Sequence, residues 1–252
     1  MNELSTWSKT WEMKFNEGKC HVMHIGKNNP KIQYHINGIQ LETSDCEKDV
    51  GVWISNSLKP GDQCNKAAWT ANKVLGLMSR SVLYRDRKIW PKLYMTYVRP
   101  YLEYAVPAWS PWLEKDSAVL EKVQERALKQ ITSLGHLSYA EKLKTLGMMS
   151  LKQRRVKADM CQVWKILHRH DDVDEMTWFK RANAVSLRNT RQNSSPFNLA
   201  EPHANRDIRR QFFSIRTVKP WNSLPEQVKS ARTIGAFKRL YDKHVYATEN
   251  AQ

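Results

Sequence analysis

The side chains near the start of the chain that are best suited to bind a metal are Cys20, His21 and His24. Thiolate and imidazole groups are the ligands that zinc prefers. The run from Cys20 to Ile25 alternates like a strand, however, and alternation sends Cys20 and His24 to one face and His21 to the other. Because this spacing is a weak metal signature, ordinary strand packing is favoured and no metal ligand is assigned.

The second candidate for chemistry is the acidic run from Asp171 to Glu175, which holds four carboxylates. A two-metal nuclease needs carboxylates brought together from separate elements, whereas several in one short loop are typical of a solvated turn or a helix cap. The run also lacks the glycine of a calcium loop. The motifs of Walker loops, nucleophile elbows, zinc hydrolases and deaminases are absent from the sequence. We therefore predict no catalytic residue and no resident cofactor in this chain.

The charge of the chain indicates a polyanionic partner. The 252 residues include 41 Lys and Arg against 25 Asp and Glu, a net charge of +16. Residues 61–100 hold eight basic and two acidic side chains, and residues 181–252 hold 13 and five, whereas residues 1–60 are balanced. Such segments attract nucleic acid first and an anionic membrane surface second. No apolar stretch approaches the roughly 18 residues that would span a bilayer, so no membrane crossing is predicted.

A row of three cations is the first candidate nucleic-acid contact. Lys66, Lys73 and Arg80 recur every seventh residue, so one face of a helix would carry all three. A second face would carry the apolar stripe Cys64, Ala68, Ala71, Leu75 and Met78. A solvated helix face would explain the row equally well for an isolated helix. The local excess of positive charge favours a surface that follows a phosphate backbone.

A denser basic cluster opens a later helix. The pattern Ser150-Leu-Lys-Gln153 is a capping box, and Lys152, Arg154, Arg155 and Lys157 crowd the first turns behind it. Cations at a helix N-terminus oppose the macrodipole. Either phosphate contact, through Arg154 and Arg155, or a salt-bridge partner would explain why they are there.

The remaining candidates are arginines near aromatic or polar residues. Arg99 lies among the tyrosines and tryptophans of residues 90–112, which could stack bases, although such aromatics at helical spacing are more typical of a core. Residues 181–210 are polar and arginine-rich, as in a flexible arm or a groove-lining segment. The nominated residues there and just beyond are Arg191, Arg209, Arg210 and Arg216.

The elements that must position these residues are mainly helical. Leu4, Trp7, Trp11 and Phe15 predict a first helix, followed by strands at 20–25 and 50–54 and a hairpin turning at Asn37-Gly38. The later helices are marked by a capping box at Ser138–Glu141 with a stop at Gly147, and by these apolar stripes: Leu120, Val123, Ala127, Ile131; Val156, Met160, Val163, Leu167; Ile234, Phe237, Leu240, Tyr241. The predicted fold is mainly α with a small N-terminal antiparallel β piece.

The cysteine pattern indicates in which cellular compartment the protein is expected. Cys20, Cys46, Cys64 and Cys161 show no CxxC pairing, and no signal-peptide core precedes them. Reduced thiols are therefore expected, and with them an intracellular location in the cytoplasm or the nucleus.

The order of the motifs resembles a known family. Seven segments carry the resemblance: LSTWSKTWEMKFNEGKCHVMHIGKNN, YHINGIQLETSDCEKDVGVWIS, CNKAAWTANKVLGLMSRS, YVRPYLEYAVPAWSP, LEKVQERALKQI, LSYAEKLKTLGMMSLKQRRVKADM and FFSIRTVKPWNSLP. In colinear order and over nearly the whole chain, they resemble the C-terminal part of the reverse transcriptase of non-LTR retrotransposons, of the LINE and jockey-like type. Each motif alone is weak, and the ordered set is specific.

The resemblance implies a division of the chain into four parts. Residues 1–58 would be the remnant of a polymerase palm with a primer-grip-like hairpin, and residues 59–112 thumb-like helices. Residues 113–180 would be a helical C-terminal domain, and residues 181–252 a basic C-terminal segment with short helices. Lys19 matches a lysine of the palm motif that follows the catalytic hairpin of the family.

The family's catalytic aspartates, which hold magnesium, precede a segment like residues 3–26. The resemblance therefore implies that this chain lacks them and does not polymerise alone, with magnesium expected only together with the missing palm. Two positions depart from the family pattern. Lys142 stands where arginine is usual and Arg191-Gln192 where arginine-glycine is usual, which puts a tight turn at Thr190-Arg191 in doubt.

Two functions follow as expectations. The first is a truncated RNA-directed DNA polymerase segment that binds RNA or an RNA/DNA template–primer through basic surfaces, with the missing palm and fingers as a conceivable partner in trans. The alternative is a non-catalytic protein-interaction or structural module retained from a mobile element. The oligomeric state is left open. On the first reading, the apolar face of the strand at 20–25 should find too few partners within the chain.

Overall fold

The computed structural model describes residues 2–26, 28–185 and 195–249. Short strands are confined to residues 21–55, and helices occupy most of the chain after them, so the predicted mainly α fold with a small β piece is confirmed. The strands are β1 His21–Val22, β2 His35–Ile36, β3 Ile39–Gln40, β4 Glu42–Thr43, β5 Cys46–Asp49 and β6 Val52–Ser55. They form separate two-stranded pairs: β1 with β4 in parallel, and β2 with β3 and β5 with β6 antiparallel.

The hairpin predicted at Asn37-Gly38 is confirmed. Both residues have positive φ, 50° and 81°, as a type I′ turn requires. Ile36 pairs with Ile39 across it, and the Leu41 amide donates to the Tyr34 carbonyl at 2.9 Å. The Ile36 side chain is buried, whereas the Ile39 side chain is exposed.

A second hairpin corrects the predicted strand at 50–54. Val50 and Gly51 form its turn, with φ values of 43° and 86°, and the strand β6 begins only after them. The Tyr104 hydroxyl donates to the Val50 carbonyl at 3.1 Å. A Cβ on Gly51 would lie 3.0 Å from Cε1 of Tyr104. Both the backbone conformation and the close approach of this ring therefore require glycine at position 51.

The helices are α1 Asn2–Thr10, α2 Gly61–Ser81, α3 Trp90–Leu93, α4 Arg99–Glu103, α5 Val106–Trp109, α6 Glu114–Lys129, α7 Tyr139–Leu146, α8 Leu151–Leu167, α9 Glu175–Trp178, α10 Ala182–Val185, α11 Asp207–Arg210, α12 Phe213–Arg216, α13 Val218–Asn222, α14 Glu226–Lys229 and α15 Ile234–Glu249. Short 3₁₀ turns lie at Glu17–Lys19 and Thr132–Leu134, and a π-helical turn at Tyr94–Val98.

The front of the molecule exposes apolar side chains. On α1 the side chains of Leu4 and Trp7 are exposed, and so is Trp11 just beyond the helix. The Trp7 ring contacts that of Phe15, with centroids 6.3 Å apart. The predicted strand at 20–25 is reduced to β1, and Ile25 at its end is exposed. The apolar face that the sequence predicts for the first helix is therefore largely uncovered by the described residues.

The first core joins α2 to α6. Both predicted stripes are buried and pack against each other: Cys64, Ala68, Ala71, Leu75 and Met78 on α2, and Leu120, Val123, Ala127 and Ile131 on or just after α6. Between them, the π-helical turn Tyr94–Val98 accommodates Pro100, which has no amide hydrogen to donate. Trp90 and Tyr94 are buried in this core, whereas Tyr97 and Tyr101 are exposed, so the aromatic run divides between interior and surface.

The second core is built around the later turns of α8. Met160, Val163 and Trp164 pack there with Trp221 and Phe237. The predicted burial of Val156 is wrong, because this side chain is 39% exposed. At that level of α8 the inward positions belong to Arg155 and Asp159, which are buried instead.

The predicted helix boundaries around α7 and α8 are confirmed. Ser138 and Ser150 both make complete capping boxes, with Glu141 and Gln153 respectively. Gly147 ends α7 in the left-handed conformation, with φ of 60°. The segment boundaries at residues 58, 112 and 180 stay predictions.

Candidate nucleic-acid interface

The cation row predicted on the first long helix lies on the outer face of α2. Lys66, Lys73 and Arg80 are all exposed, and none has an acidic side chain within 4 Å among the described residues. At a rise of about 1.5 Å per residue, the row extends over about 21 Å. Asp62 is the one acidic residue of α2 and lies one turn before Lys66, but no ion pair within 4 Å joins the two side chains. The outer face of α2 therefore presents an excess of positive charge, which is greatest toward Lys73 and Arg80.

Two tryptophans support this row. Lys66 Nζ lies 5.0 Å from the ring centroid of Trp53 on β6, and Lys73 Nζ lies 4.3 Å from that of Trp69. These are cation–π distances, which hold both ammonium groups over the rings. Trp69 is itself 62% exposed and leaves ring surface for a stacked base. Sequence reasoning missed both tryptophans, although the i, i+4 spacing of Trp69 and Lys73 was a usable signal.

The exposed surface continues past the end of α2. Leu83 and Tyr84 are exposed in the connection to α3, as are Arg87 and Lys88. Arg85 has a different role, because its guanidinium donates to the Ser79 and Val82 carbonyls and lies 5.3 Å from the Trp90 ring. Arg85 thus fixes the start of the connection while its neighbours face solvent.

Arg99 and Arg154 come together, but on a shared carboxylate. Arg154 makes a two-bond contact with Glu103, with Nη2 to Oε2 at 2.8 Å, and Arg99 Nε lies 3.6 Å from Oε2 of the same residue. Burial, together with the nearby Arg154, lowers the pKa of Arg99. The hydrogen bonds to Glu103 raise the pKa of Arg154. The two guanidiniums are therefore tied to the protein rather than free to receive a phosphate.

The other cations at the start of α8 also have internal partners. Arg155 is only 4% exposed, and its Nη2 donates to Ser117 Oγ at 2.5 Å. Burial lowers the pKa of this arginine. Lys152 lies 3.4 Å from Glu114, and Lys157 lies 2.5 Å from Asp242. Of the two explanations for this cluster, partners within the chain account for its geometry.

Arg216 is likewise directed into the protein. Its Nε and Nη2 donate to the two carboxylate oxygens of Asp159 at 3.0 and 2.9 Å. Nη2 also donates to the Pro107 carbonyl at 2.6 Å, and Nη1 to the Gln211 carbonyl at 2.9 Å. Burial raises the pKa of Asp159, and the arginine opposes that shift. Arg216 therefore joins α12 to α8 and to α5.

The nominated arginines of the C-terminal segment divide between a cavity and the surface. Arg210 and Arg216 line one cavity of about 310 Å³, together with His203, Lys219 and Glu201. Arg210 lies 2.9 Å from the exposed carboxylate of Asp207. Arg209 instead places its guanidinium 4.8 Å from the Phe212 ring. The cavity is a second place where positive charge gathers, although its cations have partners.

The last two nominated residues lie apart from these groups. Lys19 ends the 3₁₀ turn at the front of the molecule and is exposed. Beside it, Glu17 accepts a hydrogen bond from Asn37 Nδ2 at 2.6 Å, which lowers the pKa of that carboxyl. Arg191 lies outside the described residues, together with the turn in question at Thr190-Arg191.

The acidic run caps a helix, as predicted. Asp174 Oδ1 accepts from the Met176 amide at 3.0 Å at the start of α9, and Glu175 pairs with Arg181 at 2.5 Å. Asp171 accepts from Gln162 at 2.8 Å. Within residues 2–26, 28–185 and 195–249, no three metal-ligating side chains come together in a group that could hold an ion.

Comparison of the chain with protein-family models, with curated proteins and with solved structures found no match. Among the helices of the described residues, none combines the length and the apolar character needed to cross a membrane.

Proposed function

We propose that this chain is a nucleic-acid-binding segment of the non-LTR reverse-transcriptase type that its motifs resemble, and that it holds RNA or an RNA/DNA hybrid along the outer face of α2. One observation carries this proposal: Lys66, Lys73 and Arg80 form an exposed row that has no acidic partner in the part of the chain that the structure describes. Cations repeated along about 21 Å suit a ligand whose negative charge is also repeated.

The aromatic residues beside the row favour nucleic acid over other polyanions. Trp69 and Tyr84 are exposed next to cations, and base stacking on such rings adds about 1–3 kcal/mol per base. An acidic peptide would use the cations but would gain less from the rings.

The same proposal gives the chain no polymerase activity of its own. The metal-binding aspartates of the family have no counterpart in this sequence, so magnesium and nucleotides should not support primer extension by the purified chain. Binding of nucleic acid, and not catalysis, is the role proposed for the residues of this sequence, in the cytoplasm or the nucleus. Reproducible extension by the purified chain alone would contradict this part of the proposal.

The test is the triple variant Lys66→Gln, Lys73→Gln, Arg80→Gln, with RNA and RNA/DNA binding measured by fluorescence anisotropy over a range of salt. Loss of three phosphate contacts should weaken binding by about 100-fold at low salt and should reduce the salt slope by about two to three. Circular dichroism melts of both proteins should differ by only a few degrees, because all three side chains face solvent and two of them lose an exposed cation–π contact.

Exposed lysines on α6 and α8 offer a matched control. Lys115 and Lys122 have the same seven-residue spacing and lie among acidic residues on α6, and Lys152 on α8 pairs with Glu114 at 3.4 Å. Changing these three to Gln removes the same charge and should leave affinity within about threefold. Equal losses in the two triple variants, or binding that ignores salt, would overturn the proposal.

A protein-interaction module is the second candidate, and the exposed apolar front favours it. Leu4, Trp7 and Trp11 are uncovered by the described residues, and exposed aromatic side chains in groups mark interaction sites. A purified chain that shifts neither RNA nor DNA, yet recovers one stoichiometric protein partner through the front of α1, would establish this function over the first.

A further inference from the structure

Lys142 is largely buried as a residue, although its ammonium group keeps some contact with solvent. The residue is 5% exposed, and among the described residues no acidic side chain lies within 4 Å of it and no hydrogen bond of its ammonium group is found. Lysine is almost never buried in this way unless it is paired. The other buried lysine, Lys229, follows that rule: its Nζ donates to Asn198 Oδ1 at 2.7 Å and to the Asn222 carbonyl at 3.2 Å.

Lys142 lines a cavity of about 400 Å³ between the last turns of α6 and the first turn of α7. The other charged residues of the lining are Lys129 and Glu125, which pair with each other at 2.9 Å. The charge of Lys142 is therefore the one that the lining leaves unbalanced. We call this cavity the Lys142 pocket.

The start of α7 adds hydrogen-bond donors to the same wall. The capping box uses the Glu141 amide, which donates to Ser138 Oγ, and the Ser138 amide, which donates to Glu141 Oε2 at 2.7 Å. The amides of Tyr139 and Ala140 have no acceptor among the described residues, and Tyr139 is the one of the two that lines the pocket. Free amides at the positive end of a helix dipole favour an anion.

Tyr139 also lines the pocket, but its hydroxyl is already engaged. It donates to Glu121 and accepts from Gln124 Nε2 at 2.9 Å, so it is not available to a ligand. Recognition in the Lys142 pocket therefore falls to one ammonium group with three donors and to the free amides of the helix start.

We propose that the Lys142 pocket binds a phosphate group. A phosphate monoester carries about −1.5 to −2 charges at pH 7 and several acceptor oxygens, which matches an unpaired lysine beside free helix amides. The volume of the cavity leaves room for a nucleoside attached to that phosphate. The group could come from a free nucleotide or from the 5′ end of an RNA. The assignment does not depend on the α2 surface.

The test compares melting temperatures in chloride with those in inorganic phosphate, AMP, or a 5′-phosphorylated RNA of four nucleotides, all at matched ionic strength. A ligand that binds only the folded state stabilises it in proportion to its saturation. The wild-type protein should gain several degrees with at least one phosphate probe, and Lys142→Met should gain none. Lys142→Arg keeps the charge and should keep most of the gain.

Lys144→Met is the matched control, because Lys144 lies on the same helix but is exposed. It should keep the full response to phosphate. In chloride alone, Lys142→Met should melt close to the wild-type temperature, since the ammonium group has no partner among the described residues and methionine replaces most of the apolar stem. Titration calorimetry of the wild-type protein with the same probes keeps the test decisive if Lys142→Met does not fold.

The possible results distinguish a free nucleotide from an RNA end as the source of the phosphate. They also distinguish this proposal from the one for the α2 surface. A response to the 5′-phosphorylated RNA, but not to its 5′-hydroxyl form or to AMP, assigns the RNA end; a response to AMP assigns a free nucleotide. The triple variant of α2 should keep the AMP or inorganic phosphate response even if long RNA no longer binds. Absence of any response in the wild-type protein, or equal responses in wild type and Lys142→Met, would overturn the assignment.

Discussion

The helices α2 and α8 both carry basic clusters, and the structure uses them in opposite ways. The α8 cluster is the denser one in the sequence, with four cations between residues 152 and 157, yet every one has a partner inside the protein. The α2 row is more widely spaced, and its three cations have no acidic partner among the described residues. Density of charge along a helix therefore does not indicate which cations are available to a ligand.

The difference comes from the elements that pack beside each helix. Carboxylates reach the start of α8 from α4, α6 and α15, through Glu103, Glu114 and Asp242. They offset the unfavourable position of cations at a helix N-terminus. Among residues 2–26, 28–185 and 195–249, no carboxylate lies within 4 Å of the three cations on the outer face of α2. If the comparison is correct, changes on α8 should alter stability, and changes on α2 should alter binding.

The largest effect on stability should come from Arg216→Ala. This change leaves the buried Asp159 carboxylate without its two-bond partner, which typically costs about 3–5 kcal/mol. Urea denaturation would measure it. The double variant Asp159→Leu, Arg216→Met removes both charges and should lose less. A cost below about 1 kcal/mol for Arg216→Ala would contradict the proposed difference between α8 and α2, because the stability of the fold would then not depend on the ion pairs of α8.

The next effect contrasts the two clusters directly. Arg154→Gln with Lys157→Gln removes contacts to Glu103 and Asp242 and should cost about 1–3 kcal/mol, since charged hydrogen bonds that are partly buried contribute on this scale. The triple α2 variant should cost about 1 kcal/mol or less, because the interactions that it removes are two exposed cation–π contacts. The triple α2 variant should lose more RNA affinity than the double α8 variant. Two variants that lose stability equally would contradict the contrast.

A smaller effect on stability is expected from the N-terminal cap, which α8 has and α2 lacks. Ser150 Oγ accepts from the Gln153 amide at 3.2 Å at the start of α8, whereas Pro60 at the start of α2 makes no side-chain cap. Ser150→Ala should therefore cost about 1 kcal/mol, and Ser150→Asp should restore part of it. Chemical denaturation of the two variants side by side is the measurement. An unchanged midpoint for Ser150→Ala would show that packing alone positions α8.

The smallest effect concerns pH and the far end of α8. His168 stacks on Trp164, with centroids 4.4 Å apart, and burial lowers its pKa. The unfolded chain therefore binds the proton more readily, so this contribution to stability is complete above the ordinary histidine pKa of about 6.5 and declines as the pH falls below it. The free energy of unfolding should differ less between pH 7.5 and pH 5.5 for His168→Phe than for the wild-type protein, as measured by chemical denaturation. The exposed His136→Gln should keep the wild-type difference.

Local patterns were enough to predict several elements. Asn37-Gly38 predicted its hairpin because few residues other than asparagine and glycine accept positive φ in succession. The capping boxes at Ser138 and Ser150 predicted where α7 and α8 begin, since both partners lie within four residues. The turn at Val50-Gly51 was missed because valine is an unusual residue in the left-handed region.

The sequence by itself determined the class of fold, the two long apolar stripes and the positions of the caps, because each depends on residues a few positions apart. Only the tertiary structure decided which charges remain free. Arg154 and Glu103 are 51 positions apart, and Arg216 and Asp159 are 57 apart. No local pattern relates such residues, and the same holds for Lys142, whose isolation depends on which carboxylates α6 brings near it. Contacts between distant parts of the chain thus distinguish a structural cation from an available one.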